Sequence, residues 1–168
     1  MKTEVHSNPW YRIVREDYQM PSGAPGVYYA IRGLGTVLIV AVTANQEIIC
    51  VRQWRYLFND RMLEFSAGSQ AKGETPLQAA QRELAEETGY TAKTWQEISW
   101  FAPCNGLSDE RCTVFVARNL SLTKAQPEAS EDIIVERHSP AAIDEMIKQH
   151  IITDGMTLAA WQLVKPLL

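Results

Sequence analysis

The sequence predicts an α+β fold, and three observations support this. Short runs rich in β-branched and aromatic residues, bounded by Gly, Pro and Asn, predict strands along most of the chain. One capped helical segment lies in the middle of the sequence, and two more follow near its end. This order differs from the regular strand and helix alternation of a parallel α/β protein. The length of 168 residues, 46% of them hydrophobic, suits a single domain, residues 1–168, with a full core.

The predicted strands divide the chain as follows. Residues 10–15 and 27–32 form the first two strands, separated by a turn-rich segment. The apolar run 36–44 predicts a buried strand that is too short to span a bilayer, and Asn45-Gln46 is the tip of a hairpin. The remaining predicted strands are residues 47–54, 61–65, 95–101, 112–119 and 133–137. The connection 102–111 has no pattern of its own, which favours a functional loop.

The central helix carries its own start and stop signals. Thr75 is a natural N-cap, Pro76 suits the first helical position, Gln78 completes a capping box, and Gly89 ends the helix in the left-handed conformation. Its predicted packing face consists of Leu77, Ala80, Leu84 and Thr88. Two later helices are predicted, from Ser139-Pro140 to about Gln149 and from Thr157 to Val164.

Three carboxylates crowd one side of this central helix. Glu83 and Glu87 are one turn apart and Glu86 lies beside them, so the like charges cost a few tenths of a kcal/mol per pair. A bound hard cation such as Mg²⁺ reverses that cost, and Arg82 can hold one carboxylate in place. The alternative is an ordinary solvated acidic face, which is the usual meaning of a lone Glu-Glu pair.

Composition excludes several classes of function. The net charge of −4 gives no basic surface for a nucleic acid polymer. Three cysteines without C-x-x-C spacing (Cys50, Cys104 and Cys112) favour a reduced, cytoplasmic protein without a zinc site or disulfide frame. No signal peptide or membrane segment is predicted.

Residues 68–90, GSQAKGETPLQAAQRELAEETGY, resemble the Nudix box, written G-x5-E-x7-R-E-U-x-E-E-x-G-U with U a bulky apolar residue. Tyr90 is aromatic where an aliphatic residue is usual, and Leu84 fills the first U position. The fixed positions match at Gly68, Glu74, Arg82, Glu83, Glu86, Glu87 and Gly89. The resemblance implies the Nudix fold, a mixed-sheet α/β/α sandwich, and cleavage of a nucleoside diphosphate linked to another group.

Most of the chain is similar to the ADP-ribose and nucleoside diphosphate sugar pyrophosphatases within that family. Residues 53–55 resemble their Q-x-R strand, which implies that Arg55 contacts the substrate, and residues 64–68 resemble their E-x-x-A-G motif. Residues 108–111 resemble the acidic loop that reaches the terminal sugar, through Glu110. The ending 152–157 also resembles the C-terminus of the group.

The loop after the box departs from the group. Asn105 stands where these enzymes often have proline, which leaves room for a diphosphate sugar other than ADP-ribose. Asn105, Gly106 and Ser69 complete the expected substrate-binding set.

The resemblance also implies a metal site and a catalytic base. The main-chain oxygen of Ala67 and the box carboxylates Glu83, Glu86 and Glu87 are the implied ligands of Mg²⁺, with Mn²⁺ as the alternative ion. Residues 128–133 resemble the loop that brings a further ligand, here Glu131, and the base. Ala129 stands at the base position, so Glu128, Glu131 and Glu86 are the candidates, with Arg82 in the catalytic set. The alternative is that these loop acids are merely exposed.

The related enzymes are homodimers that exchange N-terminal strands, so residues 1–35 are expected to form a strand region used in dimerisation. Tyr28 and Arg32 match the region that reaches the other subunit, and Trp10 or Tyr11 stacks on a base or simply packs on the sheet.

Two other functions stay open at this point. One is a Nudix pyrophosphatase for a damaged nucleoside triphosphate or a dinucleotide, and the other is a module that senses a nucleotide sugar without cleaving it. The preferred partner is a small nucleotide sugar.

Overall fold

A computed structural model describes residues 1–126 and 132–168. In these residues the chain forms ten strands and three helices, with a short 3-10 turn at Lys165–Leu167. The strands are β1 Lys2–Ser7, β2 Arg12–Gln19, β3 Pro25–Arg32, β4 Thr36–Val42, β5 Ile48–Arg55, β6 Asp60–Glu64, β7 Ser66–Ser69, β8 Tyr90–Phe101, β9 Cys112–Leu122 and β10 Ile133–His138. The helices are α1 Pro76–Thr88, α2 Pro140–Lys148 and α3 Gly155–Val164.

The strands form two sheets. The larger one has seven strands in the order β10-β5-β4-β9-β8, with β6 added to β5 and β7 added to β4. Only its β4–β9 pair is parallel among the described residues, so the sheet is mixed. The smaller sheet is the antiparallel meander β1-β2-β3. β4 is buried at every residue, as expected for a central strand covered on both faces.

A hydrophobic core lies on each face of the large sheet. On one face Leu38, Phe65, Ile143 and Trp161 pack together, so α2 and α3 cover this side. On the other face Val37, Ile39, Ala80 and Leu84 form the second core under α1. Each fully buried aliphatic or aromatic side chain contributes about 1.5–3 kcal/mol, so both layers are held by apolar burial. The predicted α/β/α arrangement is therefore confirmed.

The N-terminal meander rests on the loop that follows β8. Ile31 in β3 bridges Ser108 and donates its backbone N–H to the carbonyl of Leu107. The Tyr28 hydroxyl donates to the carbonyl of Gly106 at 2.7 Å. This contact brings residues far apart in sequence to one edge of the molecule.

Two strands were not predicted from the sequence. All six residues of β1 are exposed, so no buried face imposes a hydrophobic pattern on it. β7 contains Ala, Gly and Ser, which favour strands weakly. It is a strand because it pairs with residues 36–39 of β4. The predicted first strand was also misplaced, since β2 begins after Trp10 and Tyr11.

The packing face predicted for α1 is wrong in one respect. Leu77 is 39% exposed, whereas Glu83 and Glu87 are buried with Ala80 and Leu84. The buried face is therefore centred on the acidic positions, and Leu77 lies at its rim. Hydrophobicity alone cannot predict a helix that buries carboxylates.

Within residues 1–126 and 132–168, none of the helices is long and apolar enough to cross a membrane. Cys50, Cys104 and Cys112 are free thiols, as expected from their number and spacing.

Candidate functional site

Helix α1, which carries the box carboxylates, is capped at both ends. Thr75 accepts from the backbone N–H of Gln78, and the Gln78 side chain accepts from the Thr75 N–H, so the predicted capping box is present. Gly89 ends the helix at φ 69°, in the left-handed region. The orientation of the acidic side chains is thus set by the sequence of the helix itself.

Strand β7 lies directly under these carboxylates. The Ala67 backbone N–H donates to Glu87 Oε2 at 3.2 Å, and Glu87 is 3% exposed. A Cβ atom on Gly68 would overlap the carboxylate of Glu83, which is 9% exposed. Glycine is required at this position for the close approach rather than for an unusual backbone angle. The packing of α1 on β7 therefore brings the carboxylates of Glu83 and Glu87 next to the main chain of Ala67 and Gly68.

Arg82 ties the whole segment together. Its guanidinium donates to Glu74 at 3.1 Å through two nitrogens, to Glu83 Oε1 at 2.8 Å, to Glu86 Oε2 at 3.0 Å and to the carbonyl of Ser69 at 3.0 Å. The hydrogen bond from Arg82 lowers the pKa of Glu74, and the pairing with Glu74, followed by that with Glu83, raises the pKa of Arg82. The sequence predicted one such bond; the structure shows a guanidinium shared by three carboxylates.

A cavity of about 530 Å³ opens beside β7. Arg55 and Glu64 stand in its wall as a two-pronged pair, with Nε to Oε1 at 2.8 Å and Nη2 to Oε2 at 2.5 Å. This pairing raises the pKa of Arg55. The cavity is also lined by Thr36, Phe58, Met62, Ala67, Gly68, Ser69 and the segment 153–156 at the start of α3.

Glu64 is the first residue of the E-x-x-A-G motif, and no role was predicted for it from the sequence. It is 5% exposed, and a buried carboxylate requires a partner. In the β5–β6 pair Glu64 lies opposite Val51, and Arg55 lies opposite Asp60, so cross-strand pairing gave no signal of the contact between Arg55 and Glu64.

A second group of predicted residues lies at the loop 102–111. Arg32 forms ion pairs with Glu16 at 2.6 Å and with Asp109. Glu110 accepts a hydrogen bond from the Thr36 hydroxyl. These contacts place the predicted sugar-binding loop against the N-terminal meander of the same chain.

The loop borders a cavity of about 460 Å³ that contains Ser69, Glu110, Trp10 and Tyr11. Ser69 lines both this cavity and the one beside β7, so the two are neighbours across the box segment. Asn105 and Gly106 are exposed in the turn of that loop. The predicted residues Glu128 and Glu131 lie outside the described residues.

The oxygen groups present fit a hard divalent cation in their chemistry. Carboxylates and a main-chain carbonyl are the ligands that Mg²⁺ and similar ions take. Among residues 1–126 and 132–168, no group of three or more acidic, histidine or cysteine side chains is arranged to hold a metal ion. Glu83 and Glu86 are instead turned toward Arg82, and Glu87 toward the Ala67 N–H. Gly68 leaves space at the Glu83 carboxylate that any larger residue would fill.

Comparison with known proteins gives the same fold and family. The family model described as NUDIX domain matches residues 34–154. The ADP-ribose pyrophosphatase of Bacillus subtilis (strain 168) is 34% identical over 96% of this chain and 88% of its own length. The methanol dehydrogenase activator of Bacillus methanolicus is 32% identical over 96% of this chain and 89% of its own length.

Among solved structures, a crystal structure of ADP compounds hydrolase superposes with a TM-score of 0.86 over 100% of this chain and 91% of that one. At 20% identity this similarity shows the shared fold. Since the domain model spans most of the sequence and two relatives exceed 30% identity over nearly its whole length, the chain belongs to the NUDIX domain family.

Proposed function

We propose that this protein hydrolyses the diphosphate of ADP-ribose or a related nucleoside diphosphate sugar to a nucleoside monophosphate and a sugar phosphate. The observation that carries the proposal is the packing of the α1 carboxylates against strand β7, because Ala67, Gly68 and Ser69 of that strand also line the cavity that contains Arg55. The choice of substrate is supported by the similarity to the Bacillus subtilis relative, which is named ADP-ribose pyrophosphatase.

The reaction needs a divalent cation in this proposal, Mg²⁺ or alternatively Mn²⁺. The main-chain oxygen of Ala67 and the carboxylates of Glu83, Glu86 and Glu87 would hold it, with Glu131 as a further ligand. A bound cation of this kind polarises a phosphoryl oxygen and lowers the pKa of a water molecule. Arg82 balances the negative charge of the carboxylates and holds the Glu83 and Glu86 side chains by hydrogen bonds.

Arg55 is proposed to orient the phosphate that is not attacked. Its Nε and Nη2 atoms are occupied by Glu64, so the guanidinium plane is fixed and the Nη1 hydrogens are left for an anion. The Arg55 side chain is 40% exposed, while that of Glu64 is 6% exposed. The pair thus presents its cationic edge to the cavity and buries its anionic edge.

Glu86 is our preferred general base among the described residues. Its side chain is 39% exposed, and Arg82 bonds only to its Oε2 atom, so Oε1 remains to take a proton from water. The water oxygen then bonds to phosphorus while the bridging oxygen leaves with the sugar phosphate. Glu128 and Glu131 remain the alternative bases.

Residues around the loop 102–111 are proposed to select the sugar or the base. Glu110 stands in the cavity next to Ser69, and Tyr28 fixes the loop through the carbonyl of Gly106. Arg32 orients the neighbouring Asp109. Asn105 lies in the same turn and is proposed to discriminate among substrates.

The protein is further proposed to act as a cytoplasmic homodimer of single-domain subunits that associate through residues 1–35. Large apolar side chains of that region are exposed, with Trp10 at 80%, Tyr29 at 55% and Val27 at 51%. Apolar exposure of this extent marks a surface that another chain covers. Sedimentation equilibrium tests the assembly, and a monomer at assay concentration would exclude it.

The direct test is phosphomonoester release from ADP-ribose, GDP-mannose, UDP-glucose, NADH and 8-oxo-dGTP, each with Mg²⁺. We expect the fastest hydrolysis with a diphosphate sugar and none after chelation of the cation. Preference for NADH or 8-oxo-dGTP would support a different pyrophosphatase. Substrate binding without hydrolysis by the wild-type protein would support the sensing module.

The second relative favours another candidate function. Because the matched protein is named methanol dehydrogenase activator, this chain is a candidate activator of a dehydrogenase. Adding the purified protein to a methanol dehydrogenase assay tests this, with the Glu87→Gln variant as the control that separates activation by hydrolysis from activation by binding alone.

A further inference from the structure

Ser66 carries a buried hydroxyl that the site described so far does not use. The residue is 1% exposed, and its Oγ atom has no hydrogen-bond partner within the described part of the chain. Leaving such an atom without a partner in a protein interior costs free energy. A partner is therefore expected in the working state of the protein.

The strand register shows which way this hydroxyl points. Ser66 pairs with Ile39 and Gly68 pairs with Val37, and paired residues of neighbouring strands share a face. Val37 and Ile39 belong to the core under α1. The Ser66 side chain therefore faces α1, on the opposite side of the strand from Ala67, which packs against the other core.

Spacing places Ser66 opposite one particular carboxylate. Gly68 faces Glu83, as the overlap of an added Cβ atom shows. Two residues along a strand cover about 6.6 Å and four residues along a helix about 6 Å, so Ser66 comes opposite the residue one turn after Glu83, which is Glu87. The bond from the Ala67 N–H to Glu87 Oε2 confirms this alignment.

We propose that Ser66 is a positioning residue for the cation site. Its hydroxyl donates a hydrogen bond to the Glu87 carboxylate when the box carboxylates turn to hold a divalent ion. Partners in this outer position orient the ligating groups, and their removal typically weakens metal binding about 10- to 100-fold. The inference rests on the proposed function because it requires that Glu87 holds a cation.

The test compares the wild-type protein with Ser66→Ala by calorimetric titration with Mg²⁺ alone, without nucleotide. We expect the dissociation constant to rise about tenfold or more in the variant. Ser121→Ala is the matched control, since the Ser121 side chain is exposed on β9, and it should bind Mg²⁺ like the wild type.

Thermal unfolding distinguishes positioning from a merely structural role. In EDTA, Ser66→Ala should have a Tm equal to or above that of the wild type, because the substitution removes a polar atom that lacks a partner. With saturating Mg²⁺, the rise in Tm should be smaller in the variant than in the wild type. A structural role would instead lower the Tm equally with and without the cation.

The possible outcomes are separable. Equal Mg²⁺ affinity and an equal Mg²⁺-dependent rise in Tm for wild type and Ser66→Ala would overturn the inference and leave the proposed function standing. Failure of the wild type itself to bind Mg²⁺ or Mn²⁺ would overturn both. A weakened affinity together with an unchanged or raised Tm in EDTA would support the inference.

Discussion

Substitution of Gly68 by alanine probes the closest approach in the site. Residue 68 lies in β7 beneath Glu83, and an added Cβ atom overlaps the Glu83 carboxylate. Ordinary contact between such atoms needs about 3.5–4 Å, so the carboxylate must move by roughly 1 Å or more. The backbone of Gly68 is not in the left-handed region, so the substitution introduces no backbone strain.

The expected magnitudes separate stability from activity. Overpacking costs about 1–3 kcal/mol, and replacing a glycine within a strand recovers about 0.5–1 kcal/mol, so the net loss of stability is modest. A ligand displaced by about 1 Å costs on the order of 100-fold in rate. We therefore expect Gly68→Ala to remain folded at 25 °C while kcat/KM falls about 100-fold.

The assay pairs kinetics with unfolding. Hydrolysis of the preferred diphosphate sugar gives kcat/KM, and circular dichroism gives the Tm. Gly33→Ala is the control for the effect of an added methyl group on the Tm, because its Cβ atom meets only the carbonyl of Trp10 at 3.9 Å. It is not a control for activity, since Gly33 lines the cavity that contains Glu110. Wild-type activity and cation affinity in Gly68→Ala would refute the idea that this glycine makes room for Glu83.

Three further predictions concern the charged groups. Glu87→Gln should reduce turnover by orders of magnitude with an unchanged circular dichroism spectrum, because the amide keeps the shape of the side chain and removes its charge. Arg82→Lys should lower kcat/KM about 10- to 100-fold, since an ammonium group cannot reach Glu74 and the other carboxylates in one planar fork. The hydrogen bond from Arg52 lowers the pKa of Glu136 below its ordinary 4.5, so this pair stabilises the fold above pH 4.5 and the contribution is lost as the pH falls through the folded pKa. Glu136→Gln should accordingly lower the free energy of unfolding by about 1 kcal/mol at pH 7 and by less in acid, as measured by urea unfolding across pH.

Each of these has a contrary result. Near-normal turnover by Glu87→Gln would argue against a cation held by α1. An Arg82→Lys variant as active as the wild type would mean that the shared guanidinium is dispensable. A constant difference between Glu136→Gln and the wild type from pH 7 to pH 3 would mean that the carboxylate does not titrate against Arg52.

The local features of α1 were predictable because they depend on neighbours in sequence. The capping box of Thr75 and Gln78 and the left-handed Gly89 are found as predicted. The spacing of the box glutamates likewise fixes their angles around the helix axis. The pattern of strands and helices predicted the α+β class, and the family resemblance implied the mixed sheet with its two helical layers.

Other elements could not be predicted because they depend on pairing or on contacts at long range. β1 has no buried side chains, and β7 is a strand because it pairs with residues 36–39 of β4. Leu77 is exposed because the helix buries the face that carries Glu83 and Glu87, and a hydrophobic pattern does not predict the burial of carboxylates.

Residue identity and short-range spacing were enough to predict the family, the box helix and the residue types available for chemistry. Which of these groups are in contact is a property of the tertiary structure. It placed Gly68 under Glu83, Ala67 beside Glu87, and Arg55 against Glu64. The physical reason is that such contacts arise where β7 packs beneath α1 and β6 pairs with β5, and chain spacing alone does not specify how separate elements pack.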